Sequence, residues 1–151
     1  MHAAKAPRTL AAMAIHGTDR ERWAAATHPN TPPQILHLLA KDPQLADKVA
    51  ENPSANGGTL SMLTRVHPQL LLAVVGNPAC PPDLLRENAR HPAPAVRGKV
   101  GQHLRCPEDV LEHLVLDADE RVRQAAAGNP SCPVHARVTA GLLGTPAVTP
   151  Y

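Results

Sequence analysis

The stretch that decides the fold is Asn77-Pro78-Ala79-Cys80-Pro81-Pro82-Asp83-Leu84-Leu85, because versions of it return along the chain at nearly fixed intervals. The related copies begin at four further positions, and these together with Asn77 are called the anchors: His28, Asn52, Asn77, His103 and Asn129. Successive anchors lie 24, 25, 26 and 26 residues apart. Such a period is typical of solenoids and other repeat arrays, in which the core is spread along an axis.

The repeat over residues 28–51 shows the expected order of elements most clearly. Pro32 suits the first position of a helix, and Thr31 with Gln34 has the spacing of a capping box. Asp42-Pro43 then ends that helix and opens a second, shorter one. Each repeat is therefore predicted to consist of a helix, a turn, a short helix and a turn.

A single solenoid domain is predicted to take in residues 1–151. Residues 1–27 resemble a degenerate first repeat or cap, residues 28–143 hold the regular repeats, and residues 144–151 are predicted to be a flexible tail. Trp23 is expected to cover the open end of the core, with an anchor for a partner as the alternative.

The repeat that begins at Asn52 departs from the pattern, because Asn56-Gly57-Gly58 replaces the Thr-Pro-Pro start. Two adjacent glycines loosen the backbone. This segment is predicted to be a widened turn or a local bend, and a loop that approaches a ligand is the alternative.

A longer motif recurs near the end of the array. Val110-Leu111-Glu112-His113-Leu114 is followed by Asp119-Glu120-Arg121-Val122-Arg123-Gln124-Ala125-Ala126-Ala127-Gly128-Asn129-Pro130. This order of Leu-x-x-Leu, Asp, Val-Arg, Ala-Ala and Asn-Pro resembles the leucine-rich repeat variant family. The resemblance covers roughly residues 6–143.

The resemblance implies a fold but no established activity. The implied fold is all-α, a right-handed α-solenoid that alternates α-helices with short 3₁₀-like helices and contains no β-sheet. With anchors 24–26 residues apart, about five repeats are expected. A described member of the family carries an N-terminal cysteine-rich iron–sulfur segment, but this chain has no cysteine before Cys80, so no cluster is expected.

Charge and aromatic content narrow the range of partners. Fifteen Lys and Arg residues against thirteen Asp and Glu give a formal net charge of +2, short of the excess of a dedicated nucleic-acid protein. The aromatic residues are Trp23 and Tyr151, with no Phe, so base-stacking platforms and aromatic cages lack their side chains. No apolar run approaches the length of a membrane span, so no membrane partner is expected.

Three cysteines, Cys80, Cys106 and Cys132, occupy the helix-start position that Thr31 holds in its repeat. Their odd number and wide spacing indicate a reducing compartment, and the chain is predicted to be cytoplasmic. A helix N-terminus favours a thiolate, so reactive or metal-binding thiols are one alternative. Equal register places them one repeat apart, about 10 Å by helix-packing distances, which is too far for a disulfide. Small helix-start residues are the preferred interpretation.

Nine histidines raise the question of a metal site, but they are dispersed and no pair has the spacing of one helix face. His28 and His103 instead replace the Asn of the other anchors, whose side chains are predicted to bond the turn backbone and form a polar ladder. No Ser, Cys or Thr is placed with a local base and an orienting acid. No catalytic residue, metal or cofactor is therefore predicted.

A set of basic residues recurs in register with the anchors. Three arginines lie six residues before an anchor, two lysines lie four residues before one, and a further arginine belongs to the last repeat. Because equal register puts side chains on one face, these form the predicted ligand-binding set: Arg22, Lys48, Arg97, Lys99, Arg121 and Arg123. Arginine suits a carboxylate or a phosphate, whereas a solvated face with surface ion pairs is the competing interpretation.

The function predicted from these observations is a non-catalytic helical-repeat scaffold that binds a protein or peptide on its concave surface. The alternative is sequence-nonspecific binding of the phosphate backbone of a nucleic acid by the basic set. The apolar last helix, residues 134–143, also predicts end-to-end self-association.

Overall fold

The computed structural model describes residues 8–144, with side chains described as far as residue 141. All of the regular structure in that range is helical, so the all-α prediction is confirmed. Residues 1–7 of the predicted cap and residues 145–151 of the predicted tail lie outside the described residues.

The chain divides into two compact units, the first ending at Leu70 and the second beginning at Leu71. The first unit consists of α1 (Leu10–His16), α2 (Asp19–Thr27), α3 (Pro33–Leu39), α4 (Ala46–Glu51), α5 (Gly57–Val66) and a 3₁₀ turn (Pro68–Leu70). Helix α2 packs against α1, α3 and α4. Ala25 and Ala26 of α2 and Val49 of α4 are fully buried, so the core of this unit follows α2.

The second unit is built from six helices among the described residues. It consists of α6 (Leu71–Gly76), α7 (Pro82–Asn88), α8 (Pro94–Gln102), α9 (Glu108–Leu114), α10 (Glu120–Ala127) and α11 (Val134–Gly144). Helix α8 packs against α6 on one side and α10 on the other, while α9 packs against both α8 and α10. The fully buried Val100 of α8 and Leu111 of α9 belong to the core of this unit.

The second helices of the repeats differ from the predicted short 3₁₀-like helices. Helices α4, α6, α8 and α10 are α-helices of six to nine residues. Between residues 8 and 144, the turn Pro68–Leu70 is the only 3₁₀ segment. Because a 3₁₀-helix is uncommon beyond about four residues, second elements of this length form α-helical hydrogen bonds instead.

Thr31 does not cap α3, so the predicted capping box with Gln34 is wrong. Pro32 is the N-cap residue and Pro33 the first helical residue, which leaves Thr31 one position outside the helix. The Thr31 hydroxyl instead donates to the carbonyl oxygen of Ala25, 2.6 Å away. The side chain therefore ties the turn back to α2.

Helices α2 and α5 begin with side-chain N-caps that the repeat pattern does not predict. At α2, the Thr18 hydroxyl accepts the N–H of Glu21 at 3.2 Å, and the Glu21 carboxylate accepts the N–H of Thr18 at 3.1 Å. At α5, Oδ1 of Asn56 accepts the N–H of Thr59 at 2.9 Å. Gly57-Gly58 is therefore the first turn of a capped helix and not the predicted widened turn.

In the first unit, the anchor Asn52 holds its repeat to the preceding one. Its Nδ2 donates to the carbonyl oxygens of Ala26 and His28, at 2.8 and 3.0 Å. Its Oδ1 accepts the N–H of Ser54 at 2.9 Å. One side chain thus completes its own turn and bonds the repeat before it, which confirms the predicted polar ladder for this anchor.

The second unit contains the same ladder with an asparagine and a histidine. Nδ2 of Asn129 donates to the carbonyl oxygens of Gly101 and His103, each at 2.8 Å. Nδ1 of His103 accepts the N–H of Arg105 at 3.0 Å, so the ring proton lies on Nε2. That Nε2 donates to the carbonyl oxygen of Asn77 at 2.7 Å. His103 therefore supplies the donor and the acceptor that Asn supplies at other anchors.

Candidate functional site

Within the predicted ligand-binding set, Arg97 makes the most side-chain hydrogen bonds to the rest of the protein. Its Nε and Nη2 donate to the two carboxylate oxygens of Asp117, at 2.8 and 3.1 Å. Its Nη1 donates to the carbonyl oxygens of His91 and Pro92. Burial is the largest influence on the pKa of Asp117 and raises it, but the hydrogen bond from Arg97, the backbone N–H of Asp119 and the charge of Arg97 together outweigh burial and lower that pKa. The guanidinium of Arg97 thus fixes the turn before its own helix.

Arg123 repeats this arrangement one repeat later without the carboxylate. Its Nη1 donates to the carbonyl oxygens of Asp117 and Ala118, at 2.8 and 3.1 Å. Its Nε is buried and has no hydrogen-bond partner among the described residues. The carboxylate that pairs with Arg97 belongs to Asp117, twenty residues later in the chain. The residue twenty positions after Arg123 is Leu143, which has no carboxylate. Arg123 is therefore a second turn-fixing arginine.

Arg22 and Lys48, which belong to the first unit, both have acidic neighbours. Nη1 of Arg22 lies 3.0 Å from Oδ2 of Asp42, again an aspartate twenty residues later. Nζ of Lys48 lies 3.9 Å from Oδ2 of Asp47, its neighbour in the chain. Arg22 also lines a hollow of about 650 Å³ beside the exposed Ile15. The charge of each cation is thus balanced within the unit.

Lys99 and Arg121 line a groove of about 360 Å³ on the second unit. We call it the α8–α10 groove. Its floor consists of the small residues Ala95, Gly98 and Ala125, and its rim consists of the polar residues Lys99, Gln102 and Arg121. Lys99 makes no ion pair with a described residue. Arg121 pairs with Asp119 through Nε and Nη2, at 3.4 and 3.2 Å, and its side chain is 84% exposed.

The two glycines of α8 explain how the groove arises. A Cβ built on Gly98 would meet nothing within 4 Å, so the space above that residue is open. A Cβ built on Gly101 would lie 3.2 Å from the backbone nitrogen of Ala126 in α10. Gly101 therefore lets the two helices touch, whereas Gly98 leaves the space between their outer faces empty.

Gln102 and the small floor residues lie outside the set predicted from the sequence. The sequence does contain a sign of the groove at Gly98. This glycine lies five residues before an anchor, a position that large apolar residues, Trp23 and Leu72, occupy in two other repeats. Trp23 is 50% exposed and Leu72 is 44% exposed, so this register faces outward in each unit. Half of the Trp23 side chain is exposed, and Ala25 and Ala26 form the fully buried face of α2.

The three cysteines are buried free thiols. Burial raises the pKa of Cys80 to about 11 against an opposing effect of Arg105. Burial, together with the nearby charge of Asp109, raises the pKa of Cys106 to about 12. Burial also raises the pKa of Cys132. Burial and raised pKa values disfavour the thiolate form and so count against reactive thiols. Like Thr31, Cys80 and Cys106 lie one position before the N-cap prolines Pro81 and Pro107, in the turn and not in the helix.

Neither a metal site nor a membrane-spanning helix is present in the described part of the chain. Between residues 8 and 141, no three His, Cys, Asp or Glu side chains come together in a group that could hold a metal ion. None of the helices between residues 8 and 144 combines the length and the apolar character that a membrane crossing needs.

Comparisons of this chain with protein-family models, with curated proteins and with solved structures gave no match. Any assignment of function therefore rests on the geometry of the two units.

Proposed function

We propose that this chain is a helical-repeat scaffold that binds a protein or peptide and catalyses no reaction. In this proposal the chain is an α-solenoid of about five repeats related to the leucine-rich repeat variant family, and the ligand lies on its concave surface. The ladder supports this arrangement, because anchors in both units bond a preceding repeat: Asn52, His103 and Asn129.

The observation that carries the proposal is the α8–α10 groove. Its volume of about 360 Å³ falls in the range of ligand sites in proteins, roughly 300–1,000 Å³. Lys99 and Gln102 offer polar groups that make no hydrogen bond or ion pair with a described residue, so the fold leaves them available. Asn129 ties the turn after α10 to the end of α8. A groove fixed in this way loses little conformational entropy on binding.

A protein ligand suits this surface better than a nucleic acid does. Arg97 and Arg123 bond carbonyl oxygens of the adjacent turns, so they do not form an exposed basic stripe. Asp119 and Glu120 at the start of α10 would repel a phosphate backbone. No aromatic side chain among the described residues lines the groove, so bases would find no stacking partner.

Capture from a source-cell lysate, with and without nuclease, tests the proposal. The native chain is compared with Gly98→Leu, which fills the groove, and with Gly141→Leu as the matched control. Both glycines lie in helices where an added Cβ meets no atom of the described residues within 4 Å, so both variants should fold. We expect a nuclease-resistant protein to be retained by the native chain and by Gly141→Leu, and lost from Gly98→Leu.

Two other results would contradict the proposal. Equal retention by all three chains would exclude the groove as the binding surface. A retained species that disappears on nuclease treatment, and binds less as salt rises, would support the nucleic-acid alternative instead.

A further inference from the structure

The rim of the α8–α10 groove has a simple charge balance. Lys99 brings one positive charge without an acidic partner among the described residues. The positive charge of Arg121 is balanced by Asp119, whose carboxylate also accepts the backbone N–H of Arg121 at 2.8 Å. Two positive charges and one negative charge leave the rim with one net positive charge.

Arg121 can still bind a ligand although it is paired. A guanidinium group has five N–H donors, and Asp119 takes up the edge formed by Nε and Nη2. Nη1 makes no hydrogen bond with a described residue and belongs to a side chain that is 84% exposed. Asp119 therefore orients the guanidinium and leaves Nη1 for an incoming acceptor.

The aliphatic stem of Lys99 passes close to Gly76 of α6. A Cβ built on Gly76 in α6 would lie 3.9 Å from Cδ of Lys99, so the aliphatic stem of the lysine lies along that helix. Lysine stems commonly cover apolar surface while the ammonium group stays in water.

We propose that the α8–α10 groove binds an extended acidic peptide and holds one Asp or Glu side chain of it between Lys99 and Arg121. This inference rests on the proposed function. The floor of Ala and Gly lets a peptide main chain approach closely. The amide of Gln102 can both donate to and accept from that main chain.

A single carboxylate matches the charge of the rim better than a phosphoryl group does. A phosphorylated side chain carries a charge of about −1.5 to −2 at neutral pH, whereas the rim offers one net positive charge. Glu120 follows Asp119 at the start of α10, is not part of that charge balance, and opposes any further negative charge of the ligand. The groove therefore favours a peptide acid over a phosphopeptide.

The test is a nuclear magnetic resonance titration of the full ¹⁵N-labelled chain with short blocked peptides. The probe is Ala-Ala-Glu-Ala-Ala, acetylated and amidated, and the matched probes replace Glu by Gln or by phosphoserine. We expect the Glu peptide to shift the amide signals of Gly98, Lys99 and Arg121. Its dissociation constant should be at least tenfold lower than that of the Gln peptide and also below that of the phosphoserine peptide.

Matched variants separate the charge from the fold. Lys99→Gln should raise the dissociation constant of the Glu peptide about tenfold, whereas Lys48→Gln should leave that constant unchanged. Lys48 shares the register four residues before an anchor but already lies next to Asp47. Gly98→Leu should abolish binding while Gly141→Leu retains it, with circular dichroism confirming that both variants are folded.

Equal affinity for the Glu and Gln peptides, or an unchanged affinity in Lys99→Gln, would overturn the inference. Tighter binding of the phosphoserine peptide would overturn the choice of a carboxylate. If the lysate protein is still captured in a Gly98-dependent manner, the acidic-peptide assignment fails while the proposed function stands. If that capture fails as well, both are overturned.

Discussion

At the scale of the single residue, His103 occupies a position that other repeats give to asparagine. Its ring donates from Nε2 to Asn77 and accepts at Nδ1 from Arg105. Asn129 provides the same pair of functions from its Nδ2 and Oδ1 atoms. The requirement at an anchor is thus one donor and one acceptor held in a plane, and not one residue type.

Replacement of His103 tests this requirement. His103→Asn should leave the free energy of unfolding within about 0.5 kcal/mol of the native value, because both bonds have an Asn equivalent. His103→Leu leaves the Asn77 carbonyl and the Arg105 N–H without this partner in a buried site, and should cost about 2 kcal/mol. Urea unfolding followed by circular dichroism measures both values, and equal losses in the two variants would contradict the ladder.

Asp117 should make the chain sensitive to acid. Its pKa in the folded chain lies below its usual value, which is about 3.9 in an unfolded chain. The pair with Arg97 therefore contributes stability that is present above about pH 4 and is lost as the pH falls through the folded-state pKa. Asp117 is 8% exposed, so Asp117→Asn should cost about 3 kcal/mol at neutral pH.

Urea unfolding at two pH values measures this effect. The difference between the native chain and Asp117→Asn should shrink when the pH is lowered from about 7 to about 3. Asp109→Asn is the control, since it breaks an exposed ion pair with Arg86 and should have a much smaller effect. A difference that is independent of pH would show that Asp117 acts through packing and not through its charge.

At the scale of the element, the two glycines of α8 should respond in opposite ways to one substitution. Gly98→Leu should leave stability unchanged or raise it by about 0.5–1 kcal/mol, because leucine favours the helix and finds open space. Gly101→Leu must push against the backbone of Ala126 and should cost about 1–3 kcal/mol. Thermal unfolding of both variants checks the contrast, which similar Tm values would disprove.

The order of helices could be predicted from the sequence, because prolines and the anchor period mark where helices begin and end. The start of α5 could not, since Asn56-Gly57-Gly58 reads equally well as a turn until Thr59 is seen to bond Asn56. The α-helical form of the second elements depends on backbone bonds that the resemblance to a repeat family does not determine.

The candidate site could be predicted only in part. Lys99, chosen by its register, and Arg121, added as a member of the last repeat, both line the α8–α10 groove. Register could not show that Arg97 turns back to Asp117 and the adjacent carbonyls, because that depends on the path of the turn before its helix. The groove itself depends on the absence of a side chain at Gly98, which a search for charged residues overlooks.

At the scale of the whole molecule, the last helix offers a test of the self-association predicted from the sequence. Val134 and Val138 lie one helical turn apart on α11 and are 75% and 57% exposed. Burying them in a second copy would remove apolar surface from water. We expect sedimentation velocity to show association of the native chain that grows with concentration.

Charged substitutions identify the surface involved. The double variant Val134→Lys, Val138→Lys should stay monomeric at all concentrations, because a charged side chain resists burial in an apolar contact. Leu104→Lys is the matched control, since Leu104 is 73% exposed in a turn outside α11. The prediction fails if the native chain is itself monomeric or if Leu104→Lys dissociates the assembly equally well.

The hydrogen bonds of the ladder all run in one direction along the chain. Asn52, His103 and Asn129 all donate to carbonyl oxygens that come earlier in the sequence. During synthesis from the N-terminus, each of these side chains therefore leaves the ribosome when its acceptor has already been made. Shortening the chain from its C-terminal side exposes the carbonyl acceptors of the new last repeat to water, whereas shortening it from the N-terminal side exposes the side-chain donor of the new first repeat.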